Sequence, residues 1–251
     1  MSIPDYRTAG IFLLLTALAT AISVPARLMA GADDTPLTDS LALAQNLDAV
    51  RIAQLETMEK LAAIGSAKAA YGTGGAARLV GGFTLMAAGF YLWRAMGEHH
   101  PTAMAVVAVL LAVSGIASAI SGASAAALAV TSPELQATRV YTYSPGTMGW
   151  DYGAEQALFS VRWITGSLGF TLAGLGLVAL APVQWRMGGI LRVTAVVDAV
   201  LGVAMLFIWL DAATVVHRIT GIAFLIWLIV VGLWLVVPRL RTIGMPAPDS
   251  R

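Results

Sequence analysis

The stretch RVTAVVDAVLGVAM, residues 192–205, holds one carboxylate, Asp198, in a run otherwise suited to hydrocarbon. A charged side chain at the centre of a spanning helix costs about 2.5 to 3.5 kcal/mol on insertion scales. Asp198 is therefore expected to face protein and either to pair or to carry a proton. Thr194, one turn earlier on the same helical face, is the expected hydrogen-bond donor, and Arg94 is the expected charge partner. Arg27 belongs to the opposite membrane side. From Arg192 to Asp211 the helical rise amounts to roughly 29 Å, which puts Asp198 roughly 9 Å inside one boundary. Two roles follow. Asp198 either fastens the fifth span to its neighbours or gives a proton or cation a stop on a pathway. A relay needs polar groups at successive depths, and the fifth span has none between Asp198 and Asp211. The fastening role is the expectation.

Other chemistries find less support. A retinal Schiff base needs a lysine within a span, and the lysines, Lys60 and Lys68, lie outside the apolar runs. No retinal is expected. Bis-histidine haem is not expected either, because His99 and His100 fall in a short loop and His217 at a span end. Glu98 beside His99 and His100 lacks the further ligands a metal site requires, so no metal is expected. The absence of cysteine removes thiolate nucleophiles and Fe–S clusters. Neither HExxH nor GxSxG occurs, and catalytic residues are expected to be none. A carboxylate-based enzyme acting on lipid stays open, with nothing specific in its favour.

The elements that must hold these residues follow from composition. Hydrophobic residues make up 58% of the chain and charged residues 12%, with a mean hydropathy of +0.79. That balance describes an integral membrane protein. A net charge of +1 gives no basic surplus for nucleic acid. A spanning helix takes about 20 apolar residues, and six runs qualify: about 9–29, 76–95, 103–130, 158–180, 189–210 and 213–237. The expected fold is an all-α six-helix transmembrane bundle forming a single membrane domain. At the boundary between the last two runs only Asp211, His217 and Arg218 interrupt the apolar residues, and the combined length fits two crossings joined by a tight turn. Arg7 before the first run and Ala30-Gly31-Ala32 after it also fit a signal peptide; the expectation is a retained first span, bent or ended near Pro25.

Basic residues near span ends set the expected orientation, with both termini cytoplasmic and Arg7, Arg94, Arg186, Arg192, Arg239 and Arg241 on the inner side. Two outer segments are longer than turns. Residues 38–71 carry Leu47, Val50, Leu55, Met58, Leu61 and Ile64 at mainly helical intervals. They read as an amphipathic helix kinked at Gly65-Ser66 and ended by YGTGG, lying across its own protein or docking a partner. Residues 131–157 read as an aromatic loop with Tyr143, Trp150 and Tyr152 at headgroup level and Asp151 just before the fourth span. The other reading is a contact surface for a partner.

The most specific packing signal is SGIASAISGASAAALA in the third span. Ser114, Ser118, Gly122 and Ala126 form one small-residue ladder, and Gly115, Ala119, Ala123 and Ala127 a second. Such ladders let backbones approach closely where lipid gives little drive for association. Gly166, Gly169, Ala173 and Gly176 of the fourth span form a matching surface. Packing within the chain is expected over contact with another subunit or a flat ligand. Arginine followed by a small residue opens several spans, as in RTAG and RITG; headgroup anchoring accounts for it.

RTAGIFLLLTALATAISVPARLMAGADDTPLTDSLALAQNLDAVRIAQL, residues 7–55, resembles the opening of a bacterial multi-pass membrane family known as a domain of unknown function. The resemblance implies a six-helix fold and brings no catalytic residues. The function expected from the whole sequence is that of a non-catalytic accessory or scaffold subunit of a larger membrane assembly, with membrane lipids and other membrane subunits as partners. The alternative is a small proton- or cation-coupled transporter using Asp198.

Overall fold

The structure, a computed structural model, describes residues 3–29, 60–98, 100–139, 153–188, 191–210 and 214–237. It is all-α, with no sheet among the described residues. Six long apolar helices, each able to cross a membrane, give a multi-pass membrane protein of the six-span class. They are α1 (Ile3–Met29), α2 (Lys68–Met96), α3 (Pro101–Arg139), α4 (Gly153–Met187), α5 (Leu191–Leu206) and α6 (Thr214–Val236). Their outer faces are paved with exposed Val, Ile and Leu, among them Val193, Val200, Ile219 and Ile222. Large apolar side chains left exposed on every helix are suited to lipid.

Several bounds depart from the sequence expectation. The α1 helix continues through Pro25, where proline removes one backbone donor without ending the helix. The YGTGG stretch does not end a helix; it lies inside α2. Its Gly75 stands so close to the Gly122 carbonyl that an added Cβ would meet it at 2.8 Å. Close approach to α3 explains glycine there better than termination does. Of the outer amphipathic segment, residues 60–66 are described and helical, with the break at Ala67, one residue beyond the expected kink. The α3 helix runs to Arg139 and α4 starts at Gly153, so both ends of the expected 131–157 loop are helical. At 39 residues α3 is about 58 Å long, well beyond the hydrocarbon thickness.

Contacts group the chain into two compact units. One comprises Met1–Thr20, Val80–Ala119 and Thr165–Arg251. Its core is a continuous cluster including Leu13, Leu85, Met104, Leu177, Met205 and Leu228. The other comprises Ala21–Leu79 and Ile120–Ile164. There Leu61 and Ile64 are buried with Tyr71 and Leu128, so this end of the amphipathic segment covers its own protein. Arg162 in the same unit stacks over the Tyr71 ring at 5.2 Å, and its carbonyl accepts a hydrogen bond from Ser121 Oγ at 2.8 Å.

Within the first unit, α5 closes with a 3-10 turn at Phe207–Trp209 before the chain returns as α6. His217 Nε2–H donates to the Phe207 carbonyl at 2.6 Å. Trp209 Nε1–H donates to Thr171 Oγ1 of α4 at 2.8 Å. These bonds tie the turn to α6 and α4.

Candidate functional site

Asp198 sits two turns into α5 and is wholly buried. The indole Nε1–H of Trp227 on α6 donates a hydrogen bond to its Oδ1. Gln184, near the end of α4, is its other polar neighbour. Oδ2 is buried and has no hydrogen-bond partner among the described residues. Three helices thus converge on one carboxylate. The α5 spacing explains its direction: Leu191, Ala195, Asp198, Leu201, Gly202 and Met205 are the buried residues of the helix, at intervals of three and four.

Two expected partners are placed elsewhere. Arg94 is not paired with Asp198. Its guanidinium lies 3.6 Å from Asp5 Oδ2 at the start of α1, with the Arg94 side chain about half exposed. Depth decides this. Arg94 stands two residues from the end of α2, where an arginine can stay at the boundary, whereas reaching Asp198 would take its charge into hydrocarbon. Thr194 does not donate to Asp198 either. Its hydroxyl bonds back to the Leu191 carbonyl at 2.9 Å and approaches Gln184 Oε1 at 3.4 Å. A carbonyl within the same turn is always in reach of a threonine hydroxyl in a helix.

Trp227 and Gln184 were not anticipated. The signal for Trp227 was available, because a buried indole N–H needs an acceptor and Asp198 offers one in the neighbouring span. Gln184 was a polar residue in the apolar run APVQW. Its depth matches that of the start of α5, since only residues 188–190 separate the two helices.

The small residues divide between neighbours. Ser114 Oγ donates to the Gly169 carbonyl at 2.6 Å, and a Cβ on Gly169 would meet Ser118 Oγ at 2.7 Å. Gly115 faces the Gly82 backbone of α2 instead. In the second unit Gly122 packs on Gly75 and Leu79. The α3 helix therefore presents serine to α4 and glycine to α2. Gly166 is buried in α4. Two further glycine contacts escaped the sequence reading: Gly174 of α4 against Gly202 of α5, and Gly10 of α1 against Gly232 of α6. Tyr143, Trp150, Asp151 and Tyr152 lie outside the described residues, as does His99. Among the described residues no group of three His, Asp or Glu side chains converges as a metal site would require.

A cavity of about 80 Å³ lies against Gln184 and Trp227, the polar neighbours of Asp198, while Asp198 itself is not part of its wall. Its walls include Gln184, Thr194, Trp227, Val230 and Trp234. Trp234 Nε1 is buried and has no hydrogen-bond partner among the described residues. No family model, no curated protein and no solved structure matches this chain.

Proposed function

We propose that the protein is a non-catalytic accessory or scaffold subunit of a larger membrane assembly. The observation that supports this is how its intramembrane polar groups are used. Ser114 bonds to α4, Thr16 Oγ1 meets Thr84 Oγ1 of α2 at 2.8 Å, and Asp198 Oδ1 takes the Trp227 indole. Thr20 and Thr220 bond to carbonyls of their own helices. The bonds made by Ser114, Thr16 and Asp198 run between helices and hold them in register, which is what a scaffold needs. The membrane in this reading is a bacterial cytoplasmic membrane with both termini inside, in keeping with the positions of Arg7, Arg94, Arg186 and Arg192. Extraction in a gentle detergent is the test: the protein should migrate with other membrane subunits. A homogeneous monomer that transports a solute after reconstitution sinks the proposal.

One observation favours a second reading, a small proton- or cation-coupled transporter. Asp198 Oδ2 is buried without a hydrogen-bond partner among the described residues. In that reading Asp198→Asn abolishes coupled uptake while the protein still folds and reaches the membrane.

A further inference from the structure

A groove of about 320 Å³ runs along the hairpin of α4 and α5. On α5 its wall is Ala195, Val196, Ala199 and Val200, and on α4 it includes Pro182 and Trp185. The hollow has a cause in the sequence. Ala195 and Ala199 are too short to fill the space between two helices, while Trp185 and Val200 beside them stay more than half exposed. Every lining side chain is apolar, so water finds no partner there and hydrocarbon is the fitting occupant.

One end of the groove is cationic. Arg192 precedes Ala195 and Val196 by three and four positions, and so continues their face of α5 by one turn. Arg186 follows Pro182 by four positions on α4. The register of the hairpin, fixed by Gly174 against Gly202 and by Thr194 near Gln184, brings the two arginines to one level. Both are exposed. The Arg192 guanidinium lies over the Trp185 ring, 5.9 Å from its centroid. That contact sets the charge above a wall of the groove and leaves the N–H donors of the fork unused. Neither arginine has an ion pair or a hydrogen bond among the described residues. From Arg192 to Val200 the helical rise is roughly 12 Å, less than half of a hydrocarbon thickness of roughly 30 Å. The charges and the apolar slot therefore belong to a single leaflet.

We propose that this groove binds one anionic phospholipid, with an acyl chain along Ala195 and Ala199 and the phosphate accepting N–H donors from Arg192 and Arg186. The two ends select together. The slot requires hydrocarbon, which excludes free phosphate, and a pair of guanidinium groups favours a headgroup of net negative charge over a zwitterionic one. The site rests on neither role proposed above, since it lies on the exposed side of the hairpin and does not involve Asp198.

The full chain, purified in detergent and stripped of lipid, is titrated with phosphatidylglycerol and with phosphatidylcholine of identical acyl chains, and bound lipid is counted by native mass spectrometry. One saturable site should take phosphatidylglycerol about 25-fold more tightly, each arginine contributing about fivefold. Arg192→Gln and Arg186→Gln should each reduce the preference to about fivefold, and the double variant should remove it. Arg7→Gln changes an exposed arginine of α1 and should leave the preference intact. Ala199→Leu fills the groove from a partly exposed position and should weaken both lipids at this site by about tenfold. Glycerol 3-phosphate, which has the anionic group without the chains, should not compete. Equal binding of the two lipids by the unaltered protein overturns the proposal, as does a preference that survives in the double variant or falls equally in Arg7→Gln. Undiminished binding by Ala199→Leu, or displacement of the lipid by glycerol 3-phosphate, overturns it as well.

Discussion

Asp198 on α5 and Trp227 on α6, 29 positions apart in the chain, share a buried hydrogen bond from the indole N–H to the carboxylate. The bond joins the two helices of the last hairpin at a depth where water is not an alternative partner. Removing the donor leaves the carboxylate buried with less compensation, and an unmade bond of this kind costs about 1 to 3 kcal/mol. Trp227→Phe keeps the ring that stacks on Phe224 at 5.8 Å and loses the N–H. It should lower thermal stability in detergent by that amount. The double variant with Asp198→Asn should lose less than the sum of the two single losses, because both break one interaction.

Arg94 should prove energetically remote from Asp198. In its pair with Asp5 the arginine is half exposed and the carboxylate is buried. Arg94→Ala is expected to lower stability through Asp5 alone, by more than the roughly 0 to 1 kcal/mol of a fully exposed pair. Combined with Asp198→Asn, the two losses should add to within about 0.5 kcal/mol; a larger coupling in thermal unfolding would revive the direct pairing that the sequence alone favoured.

The glycines separate into those that matter for packing and those that do not. A Cβ on Gly115 would run into the Gly82 carbonyl and the Met86 amide, whereas one on Gly221 meets nothing within 4 Å. Gly115→Ala should destabilise, since backbone of α2 has to move. Gly221→Ala, mid-helix in α6, should raise stability by up to about 1 kcal/mol through helix propensity. Unfolding midpoints of the two variants should shift in opposite directions.

The hairpin between α5 and α6 depends on His217. Its bond to the Phe207 carbonyl caps the 3-10 turn from the α6 side. His217→Ala should cost about 0.5 to 1.5 kcal/mol and speed amide hydrogen exchange at Leu210, whose N–H bonds to the same carbonyl at 3.0 Å. Exchange at Leu210 that matches the unaltered protein would show the turn to be held by Trp209 and Thr171 instead.

Six spans were legible in the sequence because the hydrocarbon thickness demands about 20 apolar residues per crossing, and nothing but a helix satisfies the backbone of a lone segment there. The ladders of α3 were legible for a related reason: small side chains every fourth residue form one stripe whatever the neighbour is. Asp198 stood out because a carboxylate in such a run is costly anywhere. What could not be read was which stripe meets which helix. Gly115 and Ser114 are adjacent in the chain, yet one packs on α2 and the other on α4, a division set by the rotation of α3 among its neighbours. The same holds for the carboxylate. Arg94 was the expected partner by charge, but its place at the end of α2 keeps it with Asp5, and Asp198 instead takes the indole N–H of the uncharged Trp227, with Gln184 as its other polar neighbour. Hydropathy and residue size act along one helix and are written in the sequence. Partnership depends on depth and rotation between helices far apart in the chain, and only the tertiary packing decides those.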